Sequence, residues 1–396
     1  MKLKIDTNIK NENINRNMNI IKTVILAGIA TWSIGCASTN SQVIETKNTA
    51  TFKEAYADRF YIGTALNLDQ VWERNPAAGQ VIEQQFNSIV AENCMKSMFM
   101  QPREGEFYFE DADQFVAYGE QHDMHIVGHT LIWHSQAPRW FFTDKAGKDV
   151  SREVLIERMR NHIHTIVSRY KGRIHGWDVV NEAILDNGEY RQSKFYEIIG
   201  EEFIPLAFQF AREADPEVEL YYNDYSTAIP AKRKGIVDMV RKMIDAGIKI
   251  DGIGMQEHHG LAHASLEETE QSIIDFAALG VKVMVTEMDI SVLPHARRHV
   301  GAELTDTTAY KETLDPYQDG LPEGKMDELG QRYLDFFALY LKHQDKISRV
   351  TLWGVGDGDS WKNDWPIEGR TDYPLLFDRN YEPKPFVADI IELAKK

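Results

Sequence analysis

The sequence has little cysteine, no long apolar run and no excess of positive charge. Its two cysteines, Cys36 and Cys94, are too few for a disulfide framework or a cysteine-based zinc site. The apolar stretch at residues 24–35 has 12 residues, whereas a membrane-spanning helix needs about 20. Lysine and arginine total 44 against 61 aspartates and glutamates, a net charge of −17. We therefore expect no nucleic-acid partner, because such partners require clustered positive charge.

The remaining composition is that of a globular protein. Of 396 residues, 43% are hydrophobic and 11% aromatic, which is enough for a sizeable core and excludes intrinsic disorder. At about 150 residues per domain the length suggests two or three domains, but α/β barrels exceed this size as one domain. Because no internal repeat and no second linker is visible, we predict one domain over residues 52–396.

The N-terminus is typical of an export signal. Polar, lysine-bearing residues 1–23 precede the apolar stretch, as in a signal peptide. The following Ser33-Ile34-Gly35-Cys36 resembles the bacterial lipobox, in which the cysteine is acylated and becomes the mature N-terminus, although leucine is usual in place of Ser33. We predict a signal peptide over 1–36, lipidation at Cys36 and a polar tether over 37–51.

These features predict an exported protein. We expect a lipoprotein of the bacterial outer membrane or cell surface, held to the membrane only through Cys36, and ordinary periplasmic or secreted export is the alternative. Met18 precedes a more ordinary signal peptide than Met1 does and is an alternative initiator.

From residue 52 onward, short apolar runs alternate with longer segments of 3.6-residue periodicity. Eight such runs predict parallel βαβ units closed into a (β/α)8 TIM barrel, an α/β fold. A helix over 265–279 would be capped by Ser265, with Glu268 completing a capping box. The predicted strands are 60–65, 88–92, 125–128, 174–180, 219–222, 252–255, 281–286 and 350–353, and other predicted helices are 152–170, 194–213, 231–246 and 326–342.

Carboxylates lie at the ends of two predicted strands. The fourth strand is followed by Asn181-Glu182, and the seventh by Glu287-Met288-Asp289. A barrel carries its active site at the carboxyl ends of its strands. Glycosidic cleavage needs two carboxyl groups, one to protonate the leaving oxygen and one to attack or to activate water. The pattern therefore indicates a glycosidase.

Residues 177–183 and 286–290 resemble the two active-site signatures of glycoside hydrolase family 10, the retaining endo-β-1,4-xylanases. The resemblance covers about 52–394 and touches all eight predicted strands. Further strings matching the family lie at 63–67, 92–96, 128–136, 222–225, 254–258, 352–361 and 374–385.

The resemblance implies the catalytic roles. Glu182 matches the general acid/base and Glu287 the nucleophile, and retention predicts that their carboxyl groups lie about 5 to 5.5 Å apart. His258 matches the family's histidine that bridges the nucleophile and Asp289, which would hold Glu287 ionised. Asn181 matches the residue that binds the sugar 2-hydroxyl beside the cleaved bond.

The resemblance also implies a substrate, xylan and its oligosaccharides. Gln256, His129 and Lys96 match residues that bind the sugar on the non-reducing side of the cleaved bond. Glu92 and Asn93 match residues for the next sugar, and the indoles of Trp133, Trp353 and Trp361 would stack on or wall the sugar rings. We expect no cofactor and no metal, because no histidine grouping has the spacing of a known ligand set.

Two features depart from the family pattern. Ser97 follows Lys96 where the family has Trp, which predicts lost bulk on the binding side of the second strand. Leu293 to Glu323 forms a loop of about 30 residues, and loops of that length are usually functional or mobile.

Two alternative functions stay open. The first is a barrel glycosidase acting mainly on β-glucan or aryl glycosides. The second is a catalytically silent glycan-binding lipoprotein at the cell surface.

Overall fold

The computed structural model describes residues 50–294 and 309–396. The predicted signal peptide, Cys36 and nearly all of the predicted tether lie outside these residues, as do residues 295–308 of the long loop. Within the described part, no helix is long and apolar enough to cross a membrane.

Eight parallel strands close into a barrel, which confirms the predicted (β/α)8 fold. Each strand pairs with the next around the ring, and the pairing of β6 with β8 completes it. A short extra strand, β7, pairs with β8 next to the ring. The strands are β1 (Tyr61–Leu66), β2 (Ser88–Ala91), β3 (His125–Trp133), β4 (Gly176–Asn181), β5 (Glu219–Asp224), β6 (Gly252–Met255), β7 (His258–Gly260), β8 (Lys282–Ser291) and β9 (Ile347–Leu352).

The helices surround the barrel and connect its strands. Short 3-10 turns lie at Arg139–Phe141, Glu312–Leu314, Asp357–Asp359 and Trp361–Asn363. The helices are α1 (Phe52–Ala55), α2 (Leu68–Val71), α3 (Pro76–Gln85), α4 (Ser97–Met100), α5 (Glu110–Gln121), α6 (Arg152–Arg169), α7 (Lys194–Ile199), α8 (Phe203–Ala214), α9 (Pro230–Asp245), α10 (Leu266–Ala277), α11 (Glu323–Lys342) and α12 (Val387–Leu393).

All eight predicted strands are present, and β3 and β8 extend furthest beyond their predicted ends. β3 continues to Trp133, and β8 continues to Ser291. Register shifts interrupt both strands, after His129 in β3 and between Val285 and Met288 in β8. Such irregularities re-aim side chains, and they are common beside active sites.

The single helix predicted over 194–213 is wrong, because the chain forms two helices there. α7 ends at Ile199, and the next residue, Gly200, has a φ of +84°, in the left-handed region that glycine adopts without steric cost. The Gly200 N–H donates to the Tyr196 carbonyl at 2.7 Å. A new helix, α8, then begins at Phe203.

The predicted capping box of α10 is half confirmed. The Ser265 side chain accepts from the Glu268 N–H at 3.1 Å, as an N-cap should. The Glu268 carboxylate does not complete the box; it pairs with Arg233 at 2.9 Å. A partner on α9 therefore replaces the local contact.

Trp177 is the largest of the fully buried side chains in the described part of the chain, and it packs in the main core cluster with its ring centre 6.4 Å from that of Tyr170. Its neighbour across the β3–β4 pairing is Gly128. A Cβ atom built on Gly128 would lie 2.1 Å from Trp177 Cε3. Glycine is therefore required at residue 128 for the indole to fit.

We predict that Gly128→Ala lowers the free energy of unfolding by at least about 1–3 kcal/mol, the usual cost of overpacking a core. Urea unfolding followed by tryptophan fluorescence measures this. Gly79→Ala is the matched control, because a Cβ at that helical position meets nothing within 4 Å. It should raise stability by about 0.5–1 kcal/mol. Equal effects of the two substitutions would contradict the packing argument.

Candidate active site

A cleft of about 1090 Å³ lies at the carboxyl ends of the barrel strands. All but one of the site residues predicted within the described part line this cleft. The exception, Asp289, lies fully buried behind His258. The predicted residues that line it are Glu92, Asn93, Lys96, His129, Trp133, Asn181, Glu182, Gln256, His258, Glu287, Trp353 and Trp361.

Glu287 is held in its ionised form. It lies within β8 and is 5% exposed. Its Oε1 accepts from Asn223 Nδ2 at 2.7 Å, and its Oε2 lies 3.2 Å from His258 Nε2. Burial alone would raise the pKa of Glu287, but the His258 hydrogen bond and the nearby imidazoles outweigh burial and lower it. A carboxylate in this form can act as a nucleophile.

His258 is positioned by β7, whose pairing with β8 sets it in register with Asp289. Its Nδ1 lies 3.0 Å from Asp289 Oδ1, while its Nε2 faces Glu287. Burial opposes the charged imidazole, but the two carboxylates raise the pKa of His258 to about 9. Asp289 is itself held by the Trp361 indole N–H at 2.8 Å and by Lys362 at 3.2 Å. At neutral pH His258 is therefore a cation between two anions.

Glu182 lies in surroundings that favour its protonated form, in contrast to Glu287. It follows β4 directly, with a φ of +60°, and is 3% exposed. Its carboxyl oxygens accept from the Trp133 indole N–H at 2.9 Å and from Gln256 Nε2 at 3.0 Å. Burial, and then the negative charge of Asp224, raise the pKa of Glu182 to about 7. Because those two effects exceed the two hydrogen bonds, Glu182 keeps a proton near neutral pH.

Amide side chains connect the two carboxyl groups. Asn223 Nδ2 donates to Glu287 and also to Asn181 Oδ1 at 3.0 Å. Gln256 Nε2 donates to Glu182 and lies 3.2 Å from the same Asn181 oxygen. Asn181 is therefore the junction of a network that fixes both carboxyl groups.

The predicted sugar-binding residues form the walls of the cleft. Lys96 Nζ lies 5.1 Å from the centre of the Trp133 ring and 6.0 Å from that of Trp353, and it donates to Asn93 at 3.0 Å. His129 is oriented from behind by Asp178, whose Oδ2 lies 2.9 Å from His129 Nδ1. Aromatic rings beside fixed polar groups form a surface suited to a pyranose ring.

The model for glycosyl hydrolase family 10 matches residues 51–393. The chain belongs to this family. Endo-1,4-beta-xylanase A of Xylanibacter ruminicola is 53% identical over 347 residues, which cover 88% of this chain and 94% of that protein. The endo-1,4-beta-xylanase of Geobacillus stearothermophilus is 40% identical over 341 residues, which cover 84% of this chain and 95% of that protein.

Solved structures of family 10 agree in fold. A family 10 endoxylanase retrieved from a sugarcane soil metagenome superimposes with a TM-score of 0.83 at 46% identity, covering 86% of this chain and 99% of its own. Xylanase XynB of Paenibacillus barcinonensis superimposes with a TM-score of 0.78 at 36% identity, covering 87% and 99%. The family predicted from the motifs is thereby confirmed.

The sequence predicts that Ser97 reduces the bulk on the binding side of the second strand. In this family 10 chain, Ser97 does not lie on that side. Ser97 begins α4 and is 4% exposed behind the cleft wall. Its hydroxyl donates to the Leu131 carbonyl at 2.9 Å and lies 3.2 Å from His162 Nε2. The other ring nitrogen of His162 lies 2.7 Å from the Gln101 side-chain oxygen. Ser97 thus belongs to a buried polar cluster that satisfies His162 and does not shape the binding surface.

The sequence alone assigns no role in the family 10 site to Asn223 or to the buried pair of Asp224 and Lys232. Asn223, at the carboxyl end of β5, contacts both Glu287 and Asn181. The next residue, Asp224, pairs with Lys232 of α9 at 2.9 Å, and both side chains are fully buried. Asn223 and Asp224 lie at the carboxyl end of a strand, and this position could have identified them as site residues. No pattern identifies Lys232, since a lysine on a helix is normally exposed.

We predict that Asp224→Asn shifts the alkaline limb of the kcat/KM pH profile to lower pH by about one unit. Removing this negative charge makes ionised Glu182 less costly, so its pKa falls and its proton is lost earlier. The pH profile on a soluble xylo-oligosaccharide measures the shift.

The double variant Asp224→Asn/Lys232→Met is the control. It removes the unpaired cation that the single variant leaves, so the limb should move back only part of the way, because the negative charge beside Glu182 is still missing. An unmoved limb in a folded single variant would show that Asp224 does not set the Glu182 pKa.

Proposed function

We propose that this family 10 protein is an endo-β-1,4-xylanase, hydrolysing internal xylosidic bonds of xylan with retention of configuration. One observation carries the proposal. Two buried carboxyl groups share a network, and the pKa of Glu287 is lowered while that of Glu182 is raised to about 7. A double displacement needs this division into one nucleophile and one acid.

In the proposed first step, a Glu287 oxygen attacks the anomeric carbon while the bond from that carbon to the leaving oxygen breaks. Glu182 gives its proton to the leaving oxygen, and a covalent glycosyl-enzyme forms. Esterification removes the negative charge of Glu287, so Glu182, now ionised, is stabilised as a base. In the second step Glu182 takes a proton from water, which attacks the anomeric carbon and releases Glu287.

The surrounding residues would orient the sugar. Asn181, fixed by Asn223 and Gln256, is placed beside Glu182 for the 2-hydroxyl next to the cleaved bond. Lys96 and His129 offer donors to the same sugar. Asn93 would offer a donor, and Glu92 an acceptor, to the neighbouring sugar. Trp353 and Trp361 would close the cleft around the rings and leave little room for a hydroxymethyl group, which favours xylan over β-glucan.

We predict that Glu287→Ala abolishes turnover of xylan, with a loss of at least about 10⁴-fold in kcat, and leaves oligosaccharide binding within about tenfold. Glu182→Ala should also lose xylan hydrolysis. It should keep the first step on aryl xylosides with acidic phenols, whose departure needs no proton. Initial rates and calorimetric titration measure these effects. Unchanged turnover in Glu287→Ala would remove it as the nucleophile.

Product stereochemistry separates the alternative functions. Proton NMR of early products from glucuronoxylan should show β-anomers and a spread of chain lengths, while mixed-linkage glucan should react poorly. Early α-anomers would overturn the role of Glu287. Stronger turnover of glucan than of xylan would favour the β-glucanase alternative, and no turnover of either would favour a silent glycan-binding protein.

We also propose that the protein is exported and anchored through Cys36. The apolar stretch of residues 24–35 and the lipobox-like residues that end at Cys36 support this. Residues 37–51 would then serve as a tether between the membrane and the barrel. The lipid would be the protein's sole attachment to the membrane.

We predict that cells expressing the full chain incorporate labelled palmitate into it and that Cys36→Ala abolishes the label, which gel fluorography measures. Cys94→Ala is the matched control, because it removes the other cysteine, which is buried in the barrel domain. It should leave the label unchanged. Labelling that survives Cys36→Ala would contradict the anchor.

A further inference from the structure

A second pocket, of about 550 Å³, lies at the amino-terminal mouth of the barrel, at the opposite end from the catalytic cleft. Residues at or near the starts of several strands line it. Tyr61, His125, Glu219 and Lys282 are the first residues of their strands, and Arg349 is the third residue of β9. Their side chains point to the same end of the barrel because parallel strands begin there together.

This pocket contains one buried cationic side chain, Arg349, that forms no ion pair within the described residues. Lys282 pairs with Glu219, which also accepts from the Tyr221 hydroxyl at 2.7 Å. Arg349 is 4% exposed, yet its guanidinium has no ion pair or hydrogen bond with any residue in the described ranges. It lies 5.7 Å from the Tyr221 ring and borders the pocket. A buried charge without a partner is costly, so an anion here would be bound strongly.

Aromatic rings line the side of the same pocket. Tyr61 stacks on His125 with ring centres 4.5 Å apart, and His125 packs on His175 at 4.6 Å. Burial lowers the pKa of His125 to about 3, so the imidazole against Tyr61 is uncharged at neutral pH. Tyr61 is 46% exposed. Its free ring surface can therefore take the apolar face of a pyranose.

The rim supplies acceptors for hydroxyl groups. Glu217 is exposed at the border of the pocket, together with Lys171. Asp215 also lines the pocket, but it is 3% exposed and its oxygens accept from the Gly172 and Glu217 N–H groups. Carboxylates that accept from hydroxyls, next to an aromatic face, are typical of sugar recognition. A neutral sugar would leave Arg349 unpaired, and a simple carboxylate would make no use of Tyr61. A sugar that carries a carboxylate satisfies both.

We propose that the amino-terminal mouth of the barrel is a non-catalytic binding site for a uronic acid. Arg349 binds its carboxylate, with the paired geometry that a guanidinium and a carboxylate share. Tyr61 stacks on its ring. The site is separate from the hydrolytic cleft, so its existence does not depend on the proposed xylanase activity.

Calorimetric titration of the full chain with D-glucuronate tests the proposal, with D-glucose as the neutral sugar and acetate as the simple anion. We expect glucuronate to bind at least tenfold more tightly than either. Arg349→Gln should weaken glucuronate binding at least tenfold. The exposed Tyr61→Ala should weaken it severalfold. Both variants should keep the kcat for xylan, since neither residue borders the cleft.

Three outcomes would overturn the proposal. No heat with glucuronate in the unchanged protein would exclude the site. Acetate binding as tight as that of glucuronate would exclude a sugar as the ligand. Glucuronate binding unchanged in a folded Tyr61→Ala or Arg349→Gln variant would place the ligand elsewhere, for example in the catalytic cleft. Thermal unfolding of each variant establishes that it is folded.

Discussion

Two carboxyl groups buried within one network cannot both be ionised without a large cost, and the site is built around that constraint. His258 keeps Glu287 ionised, because a cation between Glu287 and Asp289 stabilises both anions. The carboxyl group of Glu182 accepts from neutral donors, the side chains of Trp133, Gln256 and Asn181. Its proton is therefore retained by burial and by the charge of Asp224. The opposite pKa directions follow from which partners each carboxyl has.

The barrel provides these partners through its irregular positions. Register shifts lie after His129 in β3, between Asp178 and Val180 in β4, and between Val285 and Met288 in β8. Each lies within a few residues of a side chain that lines the cleft. A regular strand would alternate its side chains strictly between the two faces. The shifts turn selected side chains toward the cleft while the rest of each strand keeps its pairing.

Apolar runs and polar strand ends are local signals, so the sequence was sufficient to predict the eight barrel strands and the two carboxylates at strand ends. The roles of these carboxylates and the sugar-binding residues of the cleft were implied by the resemblance to glycoside hydrolase family 10. Glu182 and Glu287 were located by their strand ends. The break at Gly200 was missed, since the apolar periodicity continues through it and only the backbone conformation stops the helix. The partners of Ser97 and Lys232 were missed because each depends on a residue distant in the chain. Local patterns contain no information about such contacts.

The buried Asp224–Lys232 pair shows why stability alone does not explain this network. Taking two charges out of water costs about as much as their attraction returns, so an apolar pair of similar volume would be equally stable or more so. Asp224 nevertheless lies close enough to Glu182 to raise its pKa, and Lys232 is the partner that allows Asp224 to stay buried. An apolar replacement would keep the fold but remove the negative charge beside the acid. The pair thus places a fixed negative charge, that of Asp224, beside Glu182. The packing of the surrounding barrel offsets the free-energy cost of burying the two charges.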